Sequence, residues 1–508
     1  MSRLNLDVLC SVCSFITDVP DILAFSLTCS TLRPPAIRRR LGMRPVVITD
    51  AMSINTLHAF IFVDKAGRSP HIRAITIPQE AGPLLKGCPE DLLHRLLAIL
   101  SAATCVRTLS LHLPSRSSSS LLAHPLIVPA VARLTGVEDL ALVSSFERAN
   151  ALLRCIRSPL KVFRYGSLYD DLSALRNTSL IGSSMRLSSI RRRIAMRQEM
   201  DEEFTIEVAN HLSDTLSDLE LPQVCLPRQP FLRLHPGPFL AVRSFVLRCV
   251  TEPLRLDVLL HILPNLDSSL VVEALPLFYN SMRDWQRVET IQEANRFAQE
   301  RHAWKKLDRV VASPLMLFAL GLTCPIRRLT LDLSADENSP SESADAFARH
   351  ALGSVLRDHA PAHLTIRGLR LPAGLEHLDD LFSTNNALAG MTHLVVNAEY
   401  NSVDDGGKLL WPEEALDTLL ARIQYSSLTH VHIEITAIIR EADPFSGSVY
   451  HGIRDLPLER LATQFQLAVP SLYHISVTSR GAVLQSDKEL QEVWNLPPRL
   501  SLENISRS

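Results

Sequence analysis

Glycine is scarce in this sequence, eighteen residues in 508, which leaves few places for a backbone to wrap a phosphate closely. The glycine-bearing and metal-binding signatures of common enzymes are missing: there is no G-x-S-x-G, no H-E-x-x-H and no dinucleotide fingerprint. Gly406-Gly407-Lys408 comes nearest to a phosphate loop, but Leu409 stands where Ser or Thr is needed and Ser402 where the first glycine is needed. We therefore expect no catalytic residue, cofactor or bound metal, with an enzyme of unrecognised type as the open alternative. Excess charge is also lacking. Lys and Arg number 52 against 54 Asp and Glu, a net charge of −2, which gives no electrostatic case for nucleic acid or an anionic membrane. No run of eighteen uncharged apolar residues occurs, so no membrane span is expected.

Cysteine is present but unpaired in pattern. Nine cysteines, at 10, 13, 29, 88, 105, 155, 225, 249 and 324, are odd in number and scattered, and none follows residue 324. They suit reduced, buried small hydrophobes in a cytoplasmic or nuclear protein. Cys10-x-x-Cys13 has metal-ligand spacing but no second pair to complete a tetrahedral site. A secretory leader is not expected either, because Asp7 interrupts the apolar run after Arg3 and no small-residue cleavage site follows. Asn177-Thr178-Ser179 and Asn504-Ile505-Ser506 are then chance matches to the glycosylation triplet.

What the chain does have is one recurrent phrase: apolar, two variable residues, apolar, one variable residue, apolar. It appears as Ile72-x-x-Ile75-x-Ile77 and returns from Val106, Val137, Leu160, Leu216, Val242, Ile326, Met391, Leu428 and Leu472, ten copies in all. Between copies lie segments of helical periodicity with good starters. Pro89-Glu90-Asp91 opens Leu92 to Leu100, Glu147 a run to Ile156, Ala344 a run to Leu356, and Pro412-Glu413-Glu414 a run to Ile423. A strand followed by a helix, repeated, implies an α/β fold of parallel strands with the helices returning along one side. The phrase resembles that of leucine-rich-repeat solenoids, and the resemblance implies one strand added per unit. Spacing is irregular, and the asparagine or cysteine usual after the strand is replaced by Pro114, Ser145, Ser334 or Glu399, which removes side-chain bonds that knit successive turns. An ordinary mixed α/β domain pair is the competing fold.

The polar stretch Met282 to Leu307, with Trp285, Phe297 and Trp304, suits a long helix whose aromatics cover the outside. Ser115 to Ser120 and Ser334 to Ser343 suit loops, and Arg38-Arg39-Arg40 and Arg191-Arg192-Arg193 suit solvated helix ends.

The first forty residues differ from the rest. Val8, Leu9, Val12, Phe15 and Ile16 line one face of a helix, Asp18 and Asp21 can cap a second, and Pro34-Pro35 is expected to stop it. So few residues bury no core of their own, so part of this surface must meet a neighbour in this chain or another. Leu4-x-x-Asp7-Val8-Leu9-x-x-Val12-x-x-Phe15-Ile16, then Asp21-Ile22-Leu23-x-x-x-Leu27-x-Cys29-x-x-Leu32-Arg33, resembles an F-box, with Asn5 in place of the usual proline and Leu32 in place of the usual tryptophan. That resemblance implies docking on a Skp-family adaptor, and through it a cullin-RING ubiquitin ligase, with Leu4, Val8, Leu9, Val12, Ile16, Leu23 and Leu27 as contacts. The domains expected are an F-box-like helical module, 1–41, and an irregular leucine-rich-repeat-like solenoid, 42–508. The alternative is that the helices cap the repeat region of an interaction scaffold without ligase function.

If the fourth and sixth positions of the phrase point inward, the third, fifth and seventh point out. Those positions carry Thr108, Ser110, His112 and Asp139 early, and Arg164, Asp218, Glu220, Arg248, Arg328 and Asp332 in the middle. The last copies carry His393, Asn397, His430, His432, Glu434 and His474. A mixed-charge face turning histidine-rich suits a target protein, with Arg164, Arg248, Arg328, His393, His430, His432 and His474 as candidate contacts, the three arginines being able to receive a phosphate. His430, His432 and Glu434 also suggest pH-sensitive binding or a metal, although solvated surface residues are the simpler expectation.

Overall fold

The computed structural model describes residues 5–78, 81–113, 120–144, 146–167, 212–222, 238–250, 253–274, 285–333, 342–371, 390–401, 417, 419–421, 427–440, 458–485 and 489–496. The chain forms two compact units, Met1–Asn177 with Arg193–Val242, and Thr178–Arg192 with Arg243–Ser508.

The first unit opens with helices α1 (Leu6–Phe15), α2 (Val19–Thr28) and α3 (Arg33–Met43). Asn5 caps α1 by accepting from the Asp7 amide at 3.0 Å, and Asp18 caps α2 by accepting from Val19 at 2.9 Å. The proline pair does not stop α2, as expected, but opens α3. In a first turn the amide that proline lacks has no partner to lose, and α2 has already ended at Cys29, which is fully extended. Cys13, Ile22 and Ala36, one from each helix, form a small buried cluster with Ile16, Phe25 and Met43 packed against it. Arg39, expected in solvent, is half-buried instead. Its guanidinium donates twice to the Ile16 carbonyl, at 3.2 and 3.1 Å, satisfying a group left over beyond α1.

Six parallel strands follow in sequence order: β1 (Val46–Val47), β2 (Ala74–Ile77), β3 (Thr108–Leu113), β4 (Asp139–Ser144), β5 (Val162–Ser167) and β6 (Asp218–Pro222). Helices Ala51–Val63, Glu90–Ala102, Ile127–Ala132 and Phe146–Cys155 lie between them in sequence. Glu90–Ala102 shows why this pairing forms: Leu92, Leu93, Leu96, Ile99 and Leu100 fall on one stripe and are buried.

The second unit repeats the pattern with β7 (Ser244–Val250), β8 (Ser269–Ala274), β9 (Leu307–Ala312), β10 (Ile326–Asp332), β11 (His363–Leu371), β12 (His393–Asn401), β13 (His430–Arg440) and β14 (His474–Gln485), each parallel to the last. An antiparallel β15 (Glu489–Leu496) pairs with β14. All ten copies of the phrase are strands, and all three apolar residues of every copy are buried. The expected α/β fold of parallel strands and intervening helices is thus present in each unit.

Copies stack in register at the third position: Ala74, Thr108, Asp139, Val162 and Asp218 pair in turn in the first unit. One repeated device holds this register. The second-position carbonyl accepts the amides of the second and third positions of the next strand. Arg73 O accepts from Arg107 and Thr108 at 2.8 and 3.0 Å, and Thr392 O accepts from Thr429 and His430 at 2.9 and 3.0 Å. Hydroxyls at that position add to it, Ser217 donating to Lys161 O at 3.0 Å and Thr429 to Thr392 O at 3.0 Å. Turn-to-turn bonding, expected to be weakened by the missing asparagine after each strand, is supplied from the other end of the strand.

In the second unit a helix does the same work. Helix Trp285–Arg301 covers Pro314–Leu320, every residue of which is buried. Asn295 accepts from Leu256 N at 2.9 Å and donates to Leu254 O at 3.1 Å and Ala319 O at 2.8 Å. Gln299 donates to Gly321 O at 2.7 Å and accepts from Thr323 N at 2.8 Å. Trp285 stacks on Phe318 at 4.8 Å and Trp304 donates to Leu263 O at 2.7 Å, as expected of covering aromatics, whereas Phe297 is exposed.

Three expectations need correction. Of the seven cysteines whose burial is described, Cys13 and Cys324 are buried; Cys29 and Cys155 lie at helix ends and are exposed. His112, expected to face outward, is buried, because alternation stops at the end of β3 and both His112 and Leu113 are covered. Ser120, expected in a loop, is buried and bridges to Lys86. Residues 115–119, 191–193, 334–341, 406–408 and most of 412–423 lie outside the described residues.

Candidate functional site

Two surfaces gather the residues singled out by sequence. The first is the outer side of α1 and α2. Cys13 is buried against α2 and α3, Ile16 packs on the same cluster and Leu9 is half-buried, while Val8, Val12 and Phe15, spaced i, i+4 and i+7 on a neighbouring stripe, stay exposed at 48%, 45% and 80%. On α2, Ile22 is buried, and Leu23 and Leu27, spaced i, i+4, are exposed at 52% and 84%. Leu6 at the start of α1 is exposed as well. Of the expected adaptor contacts, Val8, Val12, Leu23 and Leu27 are thus open, Leu9 and Ile16 are half-buried, and Leu4 lies outside the described residues. Phe15, more exposed than any other apolar residue on α1, was not among them. Covering side chains of this size contributes on the order of 1–2 kcal/mol each.

The second surface is the third-position row of the second unit. Arg309, Arg328, His363, His393, His430 and His474 are directly paired on six successive strands, β9 to β14. The four histidines form a ladder. His363 and His393 stack with centroids 4.0 Å apart, His393 and His430 stack at 4.2 Å, and His430 and His474 lie 5.9 Å apart, tilted by 34°. Two rungs are oriented by threonine. The Thr392 hydroxyl donates to Ala362 O at 3.1 Å and lies 2.8 Å from His393 Nδ1; Thr429 donates to Thr392 O at 3.0 Å and lies 2.9 Å from His430 Nδ1. A hydroxyl has one proton to give, so each accepts from an Nδ1–H, which leaves Nε2 as the ring nitrogen not engaged by threonine.

Burial holds His363 and His393 below the ordinary histidine range. For His363 the Arg327 and Arg328 charges add to this and Asp308 opposes it; for His393 the neighbouring His363 and His430 add to it. Two charged rings at such a separation repel by roughly 4 kcal/mol at an effective dielectric of 20. Charging His363 and His393 together is therefore disfavoured.

Of the other expected target contacts, Arg164, Arg248 and His432 lie outside this row, while Arg328 belongs to it. Arg164 pairs with Asp139 at 2.9 Å in the first unit, and Arg248 pairs with Glu273 at 3.0 Å in the second. Arg328 is bonded to Asp308, which also holds Arg327 at 3.3 Å, and the Arg328 hydrogen bond keeps the Asp308 carboxyl below its usual range. His432 occupies the fifth position of β13, opposite Val395 and Ser476. His363 and Arg309 were missed by sequence reasoning. Stacking every strand by its fourth-position apolar residue would have aligned them.

Among the described residues no group of three or more His, Cys, Asp or Glu is arranged to hold a metal ion, and no helix is long and apolar enough to cross a membrane. No protein-family model matches this chain, and no curated protein matches it.

Proposed function

We propose that this chain is the substrate-recognition subunit of a Skp–cullin–F-box ubiquitin ligase. In this reading α1 and α2 dock a Skp-family adaptor, and the leucine-rich-repeat-like region that follows holds a target protein, in the cytoplasm or nucleus. The observation that carries it is the pair of uncovered apolar stripes, Val8–Val12–Phe15 and Leu23–Leu27, on helices whose inner faces are already packed. The F-box resemblance of the same residues supplies the partner. The chain itself makes and breaks no bond; it raises the concentration of a target lysine near a charged enzyme brought by the assembly.

Co-purification tests the reading. The full chain is expected to retain a Skp-family adaptor, and Leu23→Asp with Leu27→Asp is expected to release it while leaving the fold intact. An intact chain that retains no adaptor favours the scaffold without ligase function, and turnover by the purified chain alone would favour an enzyme.

A further inference from the structure

The third position of the phrase is under little constraint from the fold. It holds Ala74, Thr108, Asp139, Val162 and Asp218 in the first unit, and Ser244 and Ser269 on the first two strands of the second. From β9 onward it becomes Arg309, Arg328, His363, His393, His430 and His474 without interruption. We infer that this row is a binding strip for an acidic segment of a partner polypeptide, and that its histidines take up protons as the segment binds.

The charge around the row favours an anion. At the β10 end Asp308 faces both Arg327 and Arg328, so one acid is shared by two bases, and Arg309 is exposed beside them at the same register position. On the same face of the sheet His432 lies two residues along β13 from His430, a further base. Asp332, Arg367 and Glu434 occupy the seventh position, four residues and about 13 Å along the strands from the row, beyond the screening length of roughly 8 Å at physiological salt.

The stacking makes the row proton-coupled. With Nδ1–H committed to Thr392 and Thr429, protonation of His393 and His430 adds a donor at Nε2 on each. Two stacked rings that are both charged repel each other unless a carboxylate lies beside them, so an acidic ligand and protons favour each other's binding. A basic ligand would instead use the neutral Nε2 acceptors and show the opposite pH dependence. The inference deepens the target-binding half of the function proposed above and rests on it only in taking the acidic segment to belong to a ligase target.

The test is fluorescence anisotropy with labelled octaglutamate and the full chain, in the absence of any Skp-family adaptor, so a failed adaptor interaction leaves the result readable. Affinity is expected to rise at least about tenfold from pH 7.5 to 5.5, where glutamate remains ionised. His393→Gln with His430→Gln is expected to abolish the rise, His432→Gln to preserve it, and Arg309→Gln to weaken binding at both pH values. Calorimetry of the unmodified chain in two buffers of different ionisation enthalpy is expected to show proton uptake on binding, a readout that needs no variant. Affinity independent of pH, a rise that survives the double substitution, tighter binding of octalysine, or histidine-dependent self-association without octaglutamate binding would each overturn the inference.

Discussion

Asn295 shows how much one side chain contributes to the second unit. Its amide bonds three main-chain groups from two different turns, all buried, so an apolar replacement leaves an amide hydrogen and two carbonyls without their partner. Asn295→Leu is expected to cost roughly 2–4 kcal/mol, read as a lower urea midpoint at unchanged slope. The histidine ladder makes a residue-scale prediction of a different kind. Folding lowers the affinity of His363 and His393 for protons, so below about pH 6.5 the unfolded chain binds more protons than the folded one. Stability is therefore expected to fall as pH drops through that value and to level off once the folded histidines also protonate. His363→Asn with His393→Asn should flatten this part of the profile of melting temperature against pH in the absence of ligand, and a profile unchanged by the pair would contradict the electrostatic account.

At the scale of elements, the front helices separate two roles that hydropathy alone merges. Ile22 and Leu27 lie on one short helix, yet one is 1% and the other 84% exposed. Ile22→Asp is expected to lose the protection of α1 and α2 amides against hydrogen exchange, because it places a charge in the buried cluster these helices share, whereas Leu27→Asp is expected to change stability by less than about 0.5 kcal/mol. This is also where the sequence was hardest to read. A stripe that packs within the helices and a stripe left exposed are equally apolar, so the half-buried Leu9 and Ile16 were grouped with Val8 and Val12. The strands were more legible, since three apolar residues at fixed spacing leave one sensible face. Where the spacing was broken, the strand was lost: Asp267 takes the first position of β8, Pro361 that of β11, and Ala312 ends β9. Losing β9 and β11 hid Arg309 and His363, and with them the continuity of the basic row.

In the molecule as a whole, the front helices α1 and α2 expose apolar side chains and the parallel strands expose polar ones. Helices such as Glu90–Ala102 and Pro314–Leu320 bury their apolar faces, and in each unit the second-position carbonyl bonds keep the strand register, so a row of outward side chains can vary from turn to turn without disturbing the core. The apolar stripes of α1 and α2 stand outside this economy, since packing within the three-helix cluster is complete without them. The most direct measurement is the dissociation constant of the full chain for a purified Skp-family adaptor, compared with that of the Leu23→Asp, Leu27→Asp double variant at matched melting temperature. The account predicts a complex that the double variant weakens at least about a hundredfold, roughly 2.7 kcal/mol. No measurable complex with the unmodified chain, or equal affinity in both proteins, would contradict it.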